Sequence, residues 1–189
     1  MLHDYRDAQS HLSVPLPSSS VQQLERWKPP TGLNYKVNID ATIFPRQKAS
    51  GFGVVIRNER GETMAAVSAR GPLVQNSKEA EALACRKAVE VAMDLGFRDV
   101  TLEGDNISVM SSISSTSINR ARLGFVYDDI RCMGRGFRTF HVNHVRRTAN
   151  TVAHSLADAG LIEGEMVWLE QDPPPARDAL YSDSCHISL

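Results

Sequence analysis

The order of hydrophobic patterns along the chain limits its possible folds more than any other feature. Segments 36–40, 51–59 and 62–70 alternate apolar and polar residues or are rich in strand-forming residues, which is typical of β-strands. The turn around Gly61 joins the second segment to the third as a hairpin, because glycine tolerates a positive φ. Three strands before the first helix predict an antiparallel meander at the start of the domain.

The rest of the domain alternates between helical and strand patterns. Ser77 is the predicted N-cap of a helix whose apolar residues recur at helical spacing down to Leu95, where Gly96 ends it. The later elements are a strand at 99–105, a helix at 106–114, a helix from Arg120 to Met133, a strand at 137–145 and a closing helix from Ala149 to Leu161. The order β-β-β-α-β-α-α-β-α predicts an α/β fold with a mixed five-stranded sheet and helices packed on it.

The two ends of the chain differ from this domain. Residues 1–26 are polar and include a proline- and serine-rich stretch, which predicts a disordered leader or linker. We place the domain at 27–165. Residues 166–189 include three consecutive prolines, Pro173, Pro174 and Pro175, and are expected to form an extended tail.

Composition and charge restrict the classes of function. The chain has 189 residues, of which 42% are apolar and 23% charged, and this suits one globular domain. The net charge of -1 means that any contact with nucleic acid must come from a local basic patch. The three cysteines show no pairing pattern, no secretory signal stands at the amino terminus, and no apolar run reaches membrane length. We therefore expect an intracellular protein, in the cytoplasm or nucleus, without membrane association and monomeric.

Three acidic residues stand at positions where they could form one site. Asp40 ends the first predicted strand, Glu81 lies near the start of the long helix, and Asp105 ends the fourth strand. If strands one and four are neighbours, their ends bring Asp40 and Asp105 together. Converging carboxylates favour hard divalent cations such as Mg²⁺ or Mn²⁺, and two such ions roughly 4 Å apart promote phosphodiester hydrolysis. The alternative is structural, since aspartates are common in turns and a glutamate in a first helical turn favours the helix dipole.

Several motifs occur in order between Trp27-Lys28-Pro29-Pro30 and the closing helix. They are Asp40, the hairpin strand 51–57, Ala80-Glu81-Ala82-Leu83-Ala84, Glu103-Gly104-Asp105-Asn106, and His144-Val145-Arg146-Arg147 followed by Asn150 and Ala153-His154. In combination these motifs resemble the type-1 ribonuclease H family, and more specifically its plant reverse-transcriptase-like, retroelement-derived branch. The resemblance implies a ribonuclease H fold and Mg²⁺-dependent cleavage of the RNA strand of an RNA–DNA hybrid, with Asp40, Glu81 and Asp105 as metal ligands.

The fourth acidic position of the family holds a histidine in this chain. It lies ten residues after the loop histidine, His144, and is occupied by His154. The resemblance implies that His154 replaces a carboxylate as metal ligand and that His144 assists proton transfer or product release. Imidazole is a poorer ligand for Mg²⁺ than for softer ions, which favours Mn²⁺. Asp158, one helical turn later, is an alternative ligand through a water molecule.

Further polar residues are candidates for contact with the substrate. Asn76, Ser77 and Asn106 could bind backbone or sugar groups, and the 2′-hydroxyl distinguishes RNA from DNA. Arg146 and Arg147 are candidate phosphate contacts. A modest basic patch is expected along the long helix at Lys78, Arg86 and Lys87. By contrast, Asn150 is interpreted as a helix cap and Glu79 as a solvated charge.

Three functions remain open from the sequence. The first is an active ribonuclease that hydrolyses RNA in hybrids with divalent metal. The second is a nucleic-acid-binding module, for an RNA–DNA hybrid or structured RNA, in which His154 has weakened or ended cleavage. The third is a protein-interaction domain that descends from a retroelement and has neither activity.

Overall fold

The computed structural model describes residues 25–115, 122–161 and 164–187. Within these ranges the strands are β1 (Tyr35–Phe44), β2 (Ala49–Arg57), β3 (Thr63–Gly71), β4 (Asp99–Gly104), β5 (Thr139–His144) and β6 (Met166–Leu169). The helices are α1 (Ser77–Asp94), α2 (Ile107–Ser114), α3 (Arg122–Gly134), α4 (Thr151–Ala159) and α5 (Arg177–Ile187). The predicted leader lies almost wholly outside the described residues, as do the first two residues of the helix predicted from Arg120.

The strands form a single mixed sheet in the order β5-β4-β1-β2-β3-β6. Strands β1, β2 and β3 pair antiparallel in sequence, whereas β4 is parallel to β1 and β5 is parallel to β4. The predicted meander, hairpin and α/β architecture are therefore confirmed. The predicted strand number of five was wrong by one, because β6 adds to the outer edge of β3 in antiparallel orientation.

The carboxyl-terminal segment is folded rather than extended. The three prolines do not hold it extended, because Pro174–Ala176 form a 3-10 turn that leads directly into α5. Proline is tolerated in a first helical turn, where its missing N–H leaves no bond unmade. Ala176 and Leu180 are then buried in one apolar cluster with Val152 and Leu156 of α4.

The sheet is covered by helices on both faces. Alternate residues of β1, such as Val37 and Ile39, face a large apolar core that also contains buried residues of α1, α2 and α3. The opposite face packs against α4 and α5, where Val55 and Ala66 contribute from the sheet. Among the described residues, no helix has both the length and the apolar character needed to cross a membrane.

Two glycines of β2 allow α4 to lie unusually close to the sheet. A β-carbon on Gly53 would lie 2.9 Å from Leu156 Cβ and closer still to the backbone of Ala153 and Ala157. A β-carbon on Gly51 would likewise overlap the carbonyl oxygen of Ala157. The absence of side chains at these two positions lets the α4 backbone approach β2, and this sets the position of every residue on α4.

The start of α1 differs by one residue from the prediction. The N-cap is Asn76, whose side chain accepts a hydrogen bond from the Glu79 N–H at 3.0 Å, and Ser77 is the first helical residue. Glu79 is buried rather than solvated, and it accepts a bond from the Gln75 N–H at 2.8 Å and pairs with Arg122 at 2.7 Å. Asn76 therefore caps the helix through the Glu79 N–H, while the Glu79 side chain accepts from the preceding residue, Gln75, and the interpretation of Ser77 as the cap was wrong.

A buried polar cluster joins the sheet to the carboxyl-terminal helix. Arg57, which is 1% exposed, donates to Asp183 of α5 at 2.7 Å and to Asn38 at 3.3 Å. The ring of Trp27 stacks on the Arg57 guanidinium, with 3.4 Å between the guanidinium carbon and the ring centroid. Burial lowers the pKa of Arg57, and the neighbouring Asp183 carboxylate opposes that shift. Asp183 compensates the buried charge of Arg57, and this ion pair attaches α5 to β2 of the sheet.

Candidate metal centre

Three carboxylates from three elements meet at one edge of the sheet. One oxygen from each of Asp40, Glu81 and Asp105 lies within 4.8 Å of the others, and we call these residues the acidic triad. Strands β1 and β4 are parallel, and Asn38 lies opposite Glu103. Asp40 and Asp105, each two residues further along its own segment, therefore lie side by side. Glu81 reaches the same point from α1, which packs on β1. The condition for this convergence, that the first and fourth strands are neighbours, is met.

The carboxylates of the acidic triad repel one another, and a bound cation would neutralise them. Burial, followed by a hydrogen bond and charge repulsion from Asp40, raises the pKa of Glu81 to about 10. Burial, followed by repulsion from Asp40, also raises the pKa of Asp105. Glu81 is only 5% exposed, and its Oε2 is buried without a hydrogen-bond partner. A buried acceptor without a donor is costly, and an oxygen-only cluster of this kind fits a hard divalent cation.

Asp40 is also held by hydrogen bonds from two sides. Its Oδ1 accepts from the Ala41 N–H at 2.8 Å, and its Oδ2 lies 2.6 Å from Nδ1 of His154. The second ring nitrogen of His154, Nε2, lies 3.2 Å from the guanidinium of Arg147. An arginine can only donate, so Nε2 accepts and the proton of a neutral ring is on Nδ1, where it is donated to Asp40.

His154 therefore reaches the acidic triad as a partner of Asp40. Both of its ring nitrogens are engaged, one by Asp40 and the other by Arg147. Asp158, the alternative ligand, accepts from the Thr42 hydroxyl at 2.5 Å and lies 3.5 Å from His154 Nε2. Within the described residues, the group that could hold a metal ion comprises the acidic triad alone.

His144 lies at the end of β5, next to the acidic triad. Strand β5 pairs with β4 so that His144 stands opposite Gly104, the residue before Asp105. Its Nε2 is 3.1 Å from the Asp105 carbonyl oxygen. A carbonyl can only accept, so Nε2 carries a proton in this geometry. His144 is exposed to solvent, which leaves it accessible to a bound substrate.

The other predicted contact residues differ in how near they lie to the acidic triad. Asn106 follows Asp105 and caps α2 by accepting from the Val109 N–H at 3.3 Å. Asn76 and Ser77 are exposed at the start of α1. Arg147 lies beside His154, whereas Arg146 turns toward Glu25, at 3.1 Å. The structure thus brings Asn106 and Arg147 next to the acidic triad and does not bring Arg146 there.

The predicted basic patch on α1 is largely neutralised by neighbouring acids. Arg86 pairs with Glu90 at 3.0 Å and lies 3.7 Å from Asp129. Lys87 pairs with Glu165 at 2.8 Å. Two of the three residues of the expected patch, Arg86 and Lys87, are thus paired with acids, one on α1 itself and the others from later in the chain.

Asn150 has a position that the sequence did not indicate. It precedes α4, but its side chain makes no capping bond, so the expected cap was wrong. Its Nδ2 instead donates to the Ile39 carbonyl oxygen at 2.7 Å, one residue before Asp40. This buried bond links the start of α4 to β1 beside the acidic triad. The only local signal was an asparagine in front of a helix, and that pattern is equally typical of a cap.

Comparisons with known proteins place the chain in a family. The model of the reverse transcriptase-like family matches residues 38–160, and the chain belongs to that family. No curated protein matches the chain in sequence at a significant level.

Solved structures with a similar fold include several RNases H. RNase H1 from the archaeon Halobacterium salinarum is 25% identical, with a TM-score of 0.62 over 68% of this chain and 97% of that protein. LC11-RNase H1, isolated from compost and solved in complex with an RNA/DNA hybrid, is 20% identical, with a TM-score of 0.58 over 67% and 99%. The foamy viral protease-reverse transcriptase, also solved with an RNA/DNA hybrid, is 17% identical, with a TM-score of 0.55 over 78% of this chain and 23% of that one.

Proposed function

We propose that the protein is a divalent-metal-dependent ribonuclease that hydrolyses the RNA strand of RNA–DNA hybrids. The observation that carries this proposal is the convergence of Asp40, Glu81 and Asp105 from separate elements, with a buried Glu81 oxygen that has no donor. Membership of the reverse transcriptase-like family supports it, as do the RNase H neighbours that were solved with RNA/DNA hybrids.

The acidic triad would hold the metal ion. A bound divalent ion supplies Lewis-acid activation of the phosphodiester and of the attacking water. The exposed His144 at the edge of the triad is placed to accept or return a proton during the reaction or product release.

The substrate contacts come from residues around the same edge. Asn106 and the exposed start of α1, at Asn76 and Ser77, present groups that could bind the sugar-phosphate backbone and the 2′-hydroxyl of RNA. Helix N-termini also favour phosphate through their unpaired N–H groups. Arg147, beside His154, would contact phosphate at the triad, and the exposed Arg146 would contact phosphate away from it.

The ion used is Mg²⁺ or Mn²⁺. Oxygen ligands suit both ions. A histidine in place of a fourth carboxylate removes one negative charge from the site, which weakens its hold on Mg²⁺. We therefore expect higher activity with Mn²⁺ than with Mg²⁺.

A second candidate function is a nucleic-acid-binding module without cleavage. The specific observation in its favour is that His154 donates a 2.6 Å hydrogen bond to Asp40 and thereby competes for one of the triad's oxygens. In this case the hybrid would still bind along the same edge.

Cleavage of an end-labelled RNA–DNA hybrid by the full chain separates the two functions. We expect RNA fragments in Mn²⁺, fewer in Mg²⁺ and none with chelator. Asp40→Asn is the control that removes one ligand while keeping the side-chain volume. A folded wild-type protein that binds the hybrid in both metals but never cuts it would replace the nuclease with the binding module.

A further inference from the structure

Strand β5 forms an open edge of the sheet. Among the described residues it has one neighbouring strand, β4. The N–H groups of Thr139, the first residue of β5, and of Val145, which follows its last residue, donate to carbonyl oxygens at the two ends of β4. Because backbone groups alternate in direction along a strand, those of Phe140, Val142 and His144 point away from β4. No described residue forms a hydrogen bond with these outward groups, so the edge can accept a further strand.

A groove of about 490 Å³ lies beside this edge, and we call it the β5 groove. Its apolar surface comes from Phe140 and Val142 of β5 and from Ile113 near the end of α2. The Phe140 ring stacks on the buried ring of Phe137, with 5.5 Å between centroids and 14° between planes. Gly134 lies against the same ring, since a β-carbon there would fall 2.7 Å from it. These two contacts cover the Phe140 ring, which favours an aliphatic side chain over a stacked nucleobase as its next neighbour.

The rim of the β5 groove is basic. Arg135, Arg138 and His141 are exposed there, and Arg131 is half-buried. Arg131 and Arg138 each pair with one aspartate. Arg135 and His141 have no acidic partner among the described residues. The rim therefore keeps an excess positive charge at Arg135, which attracts acidic groups.

This charge distinguishes between the possible occupants of the edge. In a parallel or an antiparallel pairing, a second copy of the chain would bring an arginine that flanks its own β5, Arg138 or Arg147, to the rim, and like charges repel. A single-stranded nucleic acid is negatively charged, but it binds through stacked bases and cannot continue the backbone ladder of a strand. An extended acidic peptide meets both requirements, because its main chain pairs with the edge while its carboxylates face Arg135.

We propose that the β5 groove binds an extended acidic peptide of a partner protein, which is added as a strand on the outside of β5. The main chain of the peptide pairs with the outward backbone groups at Phe140 and Val142, and its acidic side chains lie toward Arg135 and Arg138. A segment of about six residues matches the length of β5. The basic rim lies at the amino end of β5, whereas the acidic triad lies at the carboxyl end of the sheet, so this inference does not depend on the proposed ribonuclease function.

Fluorescence polarisation with the purified full chain tests the inference. The probe is a fluorescein-labelled hexapeptide of alternating aspartate and valine. One matched probe has lysine in place of aspartate, and two others carry N-methyl groups on either the aspartates or the valines. We expect saturable binding of the acidic probe and much weaker binding of the lysine probe. Because only alternate residues of an added strand donate to β5, one of the two N-methylated probes should lose binding and the other should keep it.

A charge reversal on the protein completes the design. Arg135→Glu should bind the acidic probe about fivefold more weakly than the wild type and should bind the lysine probe more tightly than the wild type does. Arg177→Glu makes the same change at an exposed arginine at the start of α5, on the other face of the sheet, and should leave the affinity for both probes unchanged. Arg135 is exposed, and circular dichroism checks the fold of both variants.

The other occupants appear as separate outcomes. No binding of the acidic probe by the folded wild type, or equal affinities of the two N-methylated probes, would overturn the inference. Tighter binding of a hexauridylate than of the acidic probe, weakened by Arg135→Glu, would assign the groove to nucleic acid instead. A dimer in sedimentation equilibrium that blocks the probe would assign the edge to a second copy.

Discussion

The close packing of α4 on β2 is tested by Gly53→Ala. Gly53 pairs with Asp40 in the sheet, and α4 carries His154 above them. A β-carbon at Gly53 would lie 2.9 Å from Leu156 Cβ, whereas ordinary contact begins at 3.4 Å. To relieve the contact with Leu156 Cβ alone, helix α4 would have to move away from β2 by at least about 0.5 Å. The carbonyl oxygen of Ala153 is nearer still, so relieving that contact would need a larger shift.

The expected cost is substantial, because backbone atoms cannot rotate out of the way. Overpacking of a well-packed core costs roughly 1–3 kcal/mol, occasionally more. For a domain of this size, that corresponds to a fall in Tm of about 3–10 °C. The displacement should also lengthen the contact between His154 and Asp40, so Mn²⁺ affinity should change along with stability.

Thermal unfolding followed by circular dichroism measures the effect. Gly136→Ala is the matched control, because its β-carbon would meet Met133 O and Met93 Cε at 3.1 Å, which small shifts can relieve. We expect Gly53→Ala to lose several degrees more than Gly136→Ala. Equal Tm values for the two variants would refute the argument that the missing side chain of Gly53 sets the position of α4.

Three further predictions concern charge. With chelator present, Glu81→Gln should stabilise the protein, and the gain should grow as pH rises from 5 to 8. The reason is that the pKa of Glu81 is about 10 in the folded state and 4.5 ordinarily, so wild-type unfolding becomes more favourable as pH rises between these two values. An increase in the free energy of unfolding of Glu81→Gln over the wild type that is the same at all pH values would contradict this. Asp183→Ala should lower the free energy of unfolding, measured by urea titration, by about 3–5 kcal/mol, because it leaves the buried charge of Arg57 without its carboxylate partner. Asp178→Ala, which removes an exposed carboxylate from the same helix, is the control and should have little effect. His154→Asp should raise hybrid cleavage in Mg²⁺ because it restores a carboxylate beside Asp40, and a folded variant no more active than the wild type would contradict that.

The parts of the fold that the sequence predicted are those with a local pattern. Alternating strands, the periodic helix from residue 77 and the turn at Gly61 each depend on residues close together in the chain. The acidic triad could be predicted because Asp40 and Asp105 converge if the first and fourth strands are neighbours. The expectation that Asp40 ends its strand was wrong, since β1 continues past it to Phe44, whereas Asp105 directly follows β4. Recognisable motifs around Glu81 and His144 supplied the rest.

The features that were missed depend on contacts between distant segments. The bond from Arg57 to Asp183 joins residues 126 positions apart, so nothing near either one marks it. The carboxyl-terminal strand and helix were taken for an extended tail because prolines dominate their local pattern, while their stability comes from packing against α4. The hydrogen bond between His154 and Asp40 is also long-range, since it joins residues 114 positions apart, and no local pattern marks it.

Single-turnover cleavage of matched substrates tests the central claim most directly. The same labelled RNA would be presented as an RNA–DNA hybrid, as an RNA duplex and as a single strand, to the wild type and to Asp40→Asn, in Mn²⁺ and in Mg²⁺. We expect the wild type to cut the RNA of the hybrid in preference to the other two substrates, and Asp40→Asn to bind the hybrid without cutting it. Equal cleavage by Asp40→Asn, or no cleavage of the hybrid by folded wild-type protein in either metal, would contradict the assignment of the acidic triad as a ribonuclease centre.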